Sequence, residues 1–525
     1  MVVPELRPWR AARPHVTRLA NAVRPRLAAA RPQSARLANV MKPQVKRLTT
    51  VKTWQYTAGA ATAGLALTAV VVTAAGPWDS TGQRTAERDR AVALEHTGGA
   101  DHDRGSGTTG AAPEPAPSAS SVLAGLGGAT NTVKSAPSGE ALSAVLGPLL
   151  EDGALGSRRT AAVVDVATGK RLYGVGAGTA LTPASTTKIA TAVAALSAMG
   201  PEHRLTTRAA LEPDTDELVL VGGGDPTLTA RKDAEGWASL RDLAAKTAKA
   251  LKKDGVRKVT LSYDTTLYAG SALHPIGVDA NLALVSPLMA DEARTDDSTS
   301  GTAVRAPDPA DDAARKFAAF LADEGIKTTS PGPSKATDRA ETLAEVSSPP
   351  LSTLVERMLT NSDNDIAEAL ARQTAVATKT RADFDGGGKA IRAEVKKLQL
   401  PVSGVSFKDG SGLNRDDKLT ADLLTALLAK AGDPDHPELR SVLTGLPVAG
   451  FTGTLTTRYT PDGAAGVVRA KTGTLTGVNT LAGTVVDQDG RLLAFAFLAS
   501  DTASKDAAQS ALDKAATALA ACGCG

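Results

Sequence analysis

Apolar and polar positions divide the chain into unequal stretches. From Thr53 to Trp78 no charged residue occurs, and the run from Thr57 to Gly76 is small and aliphatic throughout, long enough to cross a hydrocarbon core as a helix. Trp54, Tyr56 and Trp78 stand at its ends, where amphipathic rings suit the two membrane interfaces. The pattern predicts a transmembrane anchor or signal over 53–78. A buried helix would not need a strongly basic flank, and a cleaved signal peptide would need an n-region far longer than usual. Residues 79–135 follow as a disordered linker: between Asp79 and Ser120 the large aliphatics are Val92 and Leu94 alone.

Beyond residue 136 the periodicities are those of a folded body. Leu142, Val145 and Leu149 share one helical face, Thr160 to Val166 reads as a strand, and a turn over Ala167 to Lys170 leads into a hairpin, the opening of a sheet covered on one side. Ser185 opens an apolar helix that carries Ile189, Val193 and Leu196. Strands at Glu217–Val221 and Val256–Tyr263 alternate with helices at Ser239–Lys253 and Asp312–Glu324. Near the C-terminus a strand holding Lys471, a second strand, an Asp489-Gly490 turn, a third strand (LLAFAFLAS) and an alanine-rich helix from Lys505 to Ala521 complete an antiparallel sheet backed by helix.

Charge sharpens this division. The 525 residues carry a net +3, yet residues 1–52 hold 12 Lys and Arg against Glu5 alone, which leaves the rest at −8. The basic tail is therefore read as cytoplasmic, resting on anionic lipid heads, and everything after Trp78 as extracytoplasmic: a single-pass membrane protein, or a secreted one if the segment is cleaved. A mildly acidic body argues against nucleic acid as a partner. Cys522 and Cys524, the two cysteines, are too few for a disulfide framework; they join each other or pair between chains. Six scattered histidines give no metal-ligand spacing and no support for a Ser-His-Asp triad.

Three short patterns carry the chemistry. Ser185 and Lys188 stand at i and i+3, so a helix puts hydroxyl and amine on one face, where a desolvated amine can take the hydroxyl proton. Ser362-Asp363-Asn364 lies between two helical segments, where an N-capping cluster is the plainer reading. Lys471-Thr472-Gly473-Thr474 sits on a strand, where a lone lysine also serves to protect an edge. Each of Ser-x-x-Lys, Ser-x-Asn and Lys-Thr-Gly occurs once, in that order, and the set is that of penicillin-binding proteins and class A β-lactamases.

The long interval from Lys188 to Ser362, and the lack of a Glu-x-x-Leu-Asn after Asn364, resemble the D-alanyl-D-alanine carboxypeptidase/endopeptidase family of low-molecular-mass, class C penicillin-binding proteins. In that family inserted domains interrupt the catalytic one. The segments GGGDPTL (Gly222 to Leu228) and DGSGL (Asp409 to Leu413) are similar to it too; by themselves they read as turn glycines without a part in the chemistry. The resemblance implies a mixed α/β (α+β) fold: a β-lactamase/transpeptidase-like antiparallel sheet flanked by helices, built from 136–205 and 345–525, and an inserted accessory α/β region at 206–344.

It implies that Ser185 is the nucleophile and Lys188 its general base. Ser362 relays a proton, Asn364 holds the substrate amide, and Lys471 supplies positive potential. Thr472, Gly473 and Thr474 form the substrate-binding strand, with the N–H groups of Ser185 and Thr474 as oxyanion hole. The partners implied are peptidoglycan stem peptides and β-lactam antibiotics, with no metal or organic cofactor. A β-lactamase and a non-catalytic wall-binding protein are the competing readings.

Overall fold

The computed structural model describes residues 137–459 and 463–523. The tail, the expected anchor at 53–78 and the whole of the expected linker at 79–135 lie outside the described residues, among which no helix is long and apolar enough to cross a membrane.

The body opens with α1 (Gly139–Leu150), capped by the Ser138 hydroxyl, which accepts the Ala141 N–H, and buried through Leu142, Leu146 and Leu150. The hairpin β1 (Arg158–Asp165) and β2 (Arg171–Val175) follows, then α2 (Thr187–Met199). The chain next builds β3 (Thr206–Leu211), β4 (Glu217–Val221), α3 (Leu240–Lys253), β5 (Lys258–Asp264), α4 (Pro309–Asp323), the short β6 (Lys327–Thr328) and β7 (Gly332–Pro333), and β8 (Glu341–Ser347). It continues through α5 (Leu351–Asn361), α6 (Asn364–Ala377), α7 (Phe384–Lys397), α8 (Ala421–Gly432) and the single turn α9 (Ser441–Thr444). It closes with β9 (Arg469–Leu475), β10 (Val478–Val486), β11 (Leu492–Ser500) and α10 (Lys505–Ala520).

Two sheets result. The first runs β2-β1-β11-β10-β9 and is antiparallel, with the register Arg158↔Ser500 to Asp165↔Leu493 joining its earliest and latest segments. Both of its faces are buried, where the hairpin pattern predicts cover on one side. Ala161, Val163, Phe495 and Phe497 pack with Leu142, Leu146, Leu512 and Leu519 of α1 and α10. On the opposite face Ala162, Ala494, Ala496 and Leu498 pack with Ile189 of α2 and Leu427 and Leu428 of α8. A strand covered twice carries a continuous apolar run, and the alanines of LLAFAFLAS let α2 and α8 lie close to the sheet.

The second sheet, β6-β5-β4-β3-β8 with β7 also on β5, is mixed: β4 and β5 are parallel and joined by α3. Its core includes Leu218, Leu220, Leu243, Phe317 and Leu321, and is separate from the cores of the first sheet. The helix expected from Asp312 starts at Pro309, because Asp308 caps it and proline at the first helical position lacks only an N–H that would be unbonded anyway.

Candidate active site

Pro183 and Ala184 bend the chain into a 3₁₀ turn, Ala184–Thr186, that runs directly into α2. Ala184 is fully buried in the left-handed region, φ 49°, a conformation costing a non-glycine residue on the order of 1–3 kcal/mol and tolerated where surrounding contacts impose it. Those contacts are the Thr186 and Thr480 hydroxyls, both donating to the Pro183 carbonyl at 2.7 and 2.8 Å. Gly473 makes this approach possible: a Cβ there would lie 2.1 Å from Thr480 Oγ1 and 2.7 Å from Pro183 O. The glycine of Lys-Thr-Gly is thus a clearance that lets β9 lie against the Ser185 turn.

Ser185 is half-buried and Lys188 has no exposed surface. The Lys188 Nζ donates to Ser185 Oγ at 3.0 Å, Asn364 Oδ1 at 2.7 Å and the Ser411 carbonyl at 2.8 Å. As a neutral amine it keeps two donors for Asn364 and Ser411 and turns its lone pair to the Ser185 hydroxyl. Burial lowers its pKa to about 8, against the opposing pull of Asp409, Glu368, Asp363 and Asp365.

Ser362 ends α5 in the left-handed conformation, φ 59°, and Asp363 caps α6 by accepting the Ile366 N–H. Capping and active-site placement therefore coexist in one tripeptide. Asn364 turns its Oδ1 to Lys188 and donates through Nδ2 to the Asn281 carbonyl of the segment between β5 and α4, 2.9 Å away. Lys471, also fully buried, donates to Ser362 Oγ at 2.8 Å and to the Thr472 carbonyl at 2.9 Å. Its pKa is pushed well below the ordinary value by burial and by the Lys188 charge.

β9 is an edge strand of its sheet. Ala470 N–H points off that edge to the Pro447 carbonyl, so strand alternation turns the main-chain groups of Thr472 and Thr474 to the same side. The Thr472 hydroxyl donates to Thr454 Oγ1, and the exposed Thr474 accepts from Gln509 Nε2. Ser185, Ser362, Asn364 and Thr474 open on one cleft of ≈ 350 Å³, whose facing wall, with Ile276 and Asn281, comes from the segment between β5 and α4. All three motifs therefore converge.

Sequence reasoning missed the backbone partners. The DGSGL segment, read as a glycine turn without a part in the chemistry, supplies the carbonyl that holds Lys188; this corrects that reading. Its glycines admit close packing: a Cβ on Gly412 would lie 1.9 Å from the Ala184 carbonyl, and one on Gly410 2.5 Å from that of Ala367. Among the described residues two buried groups, His274/Glu368/Asp409 and Glu292/Asp363/Asp365, have metal-like spacing. Their oxygens already accept N–H donors or face guanidinium groups, Arg294 and Arg357 on Glu292 and Arg305 on Asp365, which marks them as internal polar networks. Cys522 is disulfide-bonded.

A helix-flanked antiparallel sheet with a serine turn and two buried amines at its edge defines an active-serine acyl-transfer class. The chain belongs to the D-Ala-D-Ala carboxypeptidase 3 (S13) family, whose model matches residues 142–292 and 292–519. It is similar to a carboxypeptidase of Mycobacterium tuberculosis, 34% identical over 429 residues and covering 79% of this chain and 90% of that protein. It is also similar to the carboxypeptidase DacB of Mycolicibacterium smegmatis, 35% identical over 382 residues, 70% of this chain and 81% of the relative. Among solved structures, penicillin binding protein 4 from Haemophilus influenzae shares the fold, with a TM-score of 0.58 at 21% identity over 72% of this chain and 98% of that one.

Proposed function

We propose that the protein is a serine-type D-alanyl-D-alanine carboxypeptidase acting on peptidoglycan stem peptides through an acyl-enzyme and inhibited by β-lactams. The observation that carries this reading is the environment of Lys188, an amine without water contact whose third hydrogen-bonding direction is the Ser185 hydroxyl. Neutral Lys188 takes the Ser185 proton as Oγ bonds to the penultimate D-alanine carbonyl. The backbone N–H groups of Ser185 and Thr474 receive the oxyanion, a contribution of about 3–4 kcal/mol per donor. On collapse the C–N bond breaks, and Ser362, poised beside Lys471, passes the proton to the departing D-alanine amine. Water then hydrolyses the ester and restores Ser185.

The finer organisation belongs to the same proposal. Residues 136–205 and 345–525 form the catalytic domain, interrupted by an accessory region at 206–344. Residues 53–78 anchor the chain with its body on the extracytoplasmic side, or are cleaved to release it. Cleavage of D-centred cross-links would use the same site.

The full chain exposed to benzylpenicillin and followed by intact mass gains one persistent adduct, which Ser185→Ala lacks along with D-alanine release from a D-Ala-D-Ala peptide. Rapid hydrolysis of the drug without an adduct would make it a β-lactamase, and an adduct on Ser185→Ala would remove the assigned nucleophile.

A further inference from the structure

The partners of Lys188 lead away from the three motifs into the inserted region. The Ser411 carbonyl is fixed because its turn is pinned from behind: Glu368 of α6 accepts the N–H groups of Gly410 and Ser411, at 3.1 and 2.9 Å. Asp409 accepts those of Gly412 and Asn414, at 2.6 and 2.7 Å. These carboxylates are buried and adjacent, an arrangement that costs free energy unless donors compensate it.

One compensating donor comes from outside the catalytic segments. His274, in the stretch between β5 and α4, is 2% exposed, and its Nε2 lies 3.0 Å from Asp409 Oδ2. Its Nδ1 accepts the Ile276 N–H at 3.2 Å, so the ring proton sits on Nε2 and points at Asp409. Phe384, edge-on to the imidazole at 4.9 Å, fixes the ring. Burial alone would raise the Asp409 pKa; hydrogen bonds from His274 and Asp417 hold it below the ordinary value instead. Glu368, desolvated beside that charge, is pushed up to about 7.

We propose that His274 is a positioning residue for the general base: its Nε2–H holds Asp409, Asp409 holds the Asp409–Leu413 turn, and the Ser411 carbonyl of that turn holds the Lys188 amine. The proposal rests on the reading of Lys188 as base. It gives the inserted region a part in acylation itself, since the imidazole that completes the network arrives with that region. The charged groups facing Lys188 are Lys471 on β9, Asp363, Asp365 and Glu368 on or capping α6, and Asp409. Those facing His274 are Asp409, Glu368 and Arg372.

The test compares His274→Leu, which fills the space without a donor, with His274→Gln, whose amide nitrogen falls near the Nε2 position. Both are made in the full chain, with thermal melting as the fold control. Stopped reactions with benzylpenicillin, read by intact mass across pH, separate the acylation rate constant from the preceding binding constant. His274→Leu lowers the rate constant about 10- to 100-fold, the loss expected for a reacting group displaced by a fraction of an ångström to one ångström. Its binding constant is unchanged, and the ascending limb of its pH profile, at about 8 in the wild type, moves to lower pH, because Asp409 without its donor loses charge and raises the Lys188 pKa less. His274→Gln restores rate and limb to within about threefold, as expected if a donor is what matters.

Should His274→Leu fail to fold, His274→Asn, whose shorter amide stops short of Asp409, carries the same expectation. Wild-type rate and limb in His274→Leu, or equal impairment of His274→Leu and His274→Gln, overturns the proposal. Lys188→Ala run alongside separates the two readings. If it acylates like wild type the base assignment falls, whereas an inert Lys188→Ala with an unaffected His274→Leu removes this inference alone.

Discussion

The two ends of the cleft present the same side chain in the same burial and in different electrostatic surroundings. Lys188 and Lys471 are both without exposed surface, and each donates to a serine hydroxyl. Around Lys188 stand Asp363, Asp365, Glu368 and Asp409, which offset enough of the desolvation to leave its pKa at about 8. Among the described residues no such carboxylate acts on Lys471, and Lys188 repels it further. An amine that titrates near working pH can accept and return a proton. An amine whose charge is disfavoured by burial and by a like-charged neighbour gains most from a carboxylate brought in from outside, such as the free terminus of a D-Ala-D-Ala peptide. Under the proposed function, the carboxylates at one end and their lack among the described residues at the other divide base from anion receptor.

The largest effect that would break this division is in Lys188→Ala: acylation by benzylpenicillin, read by intact mass, falls about 10³- to 10⁴-fold. A fall no greater than that of Lys471→Ala would erase the distinction. Lys471→Ala costs about 10²- to 10³-fold and costs more for ligands that carry the carboxylate than for esterified analogues. Equal loss for both ligand types would deny Lys471 its anion.

A third effect sharpens the comparison through pH. Because the base acts unprotonated, acylation at limiting drug rises about tenfold per unit below pH 8 and levels above it. A flat profile from pH 6 to 9 would contradict the assigned base.

The smallest effect is on stability. The Lys188 amine titrates at about 8 in the fold and near its ordinary 10.5 unfolded, so between these values the unfolded chain binds more protons and stability rises with pH. The gain is at most ~3 kcal/mol. Denaturant unfolding at pH 8 and pH 10 should show it, reduced in Lys188→Met.

What the sequence discloses of this site is what lies in contiguous strings. Ser185 with Lys188, Ser362 with Asn364, and the Lys471 to Thr474 run are each legible because one turn, one loop or one strand sets their spacing. Ser411 and Asn281 act through backbone carbonyls, which every residue has, so no residue pattern marks them. His274 sits far along the chain from Asp409, and only the packing of the inserted segment brings them together.

The fold follows the same rule. Glu217–Val221 is a strand as its pattern predicts, and α3 begins one residue after its expected start because Ser239 is its cap. α7 carries three consecutive glycines, Gly386 to Gly388; a Cβ on Gly388 would lie 2.3 Å from the Phe407 carbonyl, so glycine there admits the contact.

The pairing of β1 with β11 has a consequence for how the molecule comes into being. β1 finds its central partner only when residues 492–500 have been made, and until then it has β2 alone beside it. Closing so large a loop is slow relative to forming local helices. Cleft assembly thus waits on β11: a chain stopped short of it carries Ser185, Lys188 and Lys471 without the central strand that joins the first hairpin to β10 and β9.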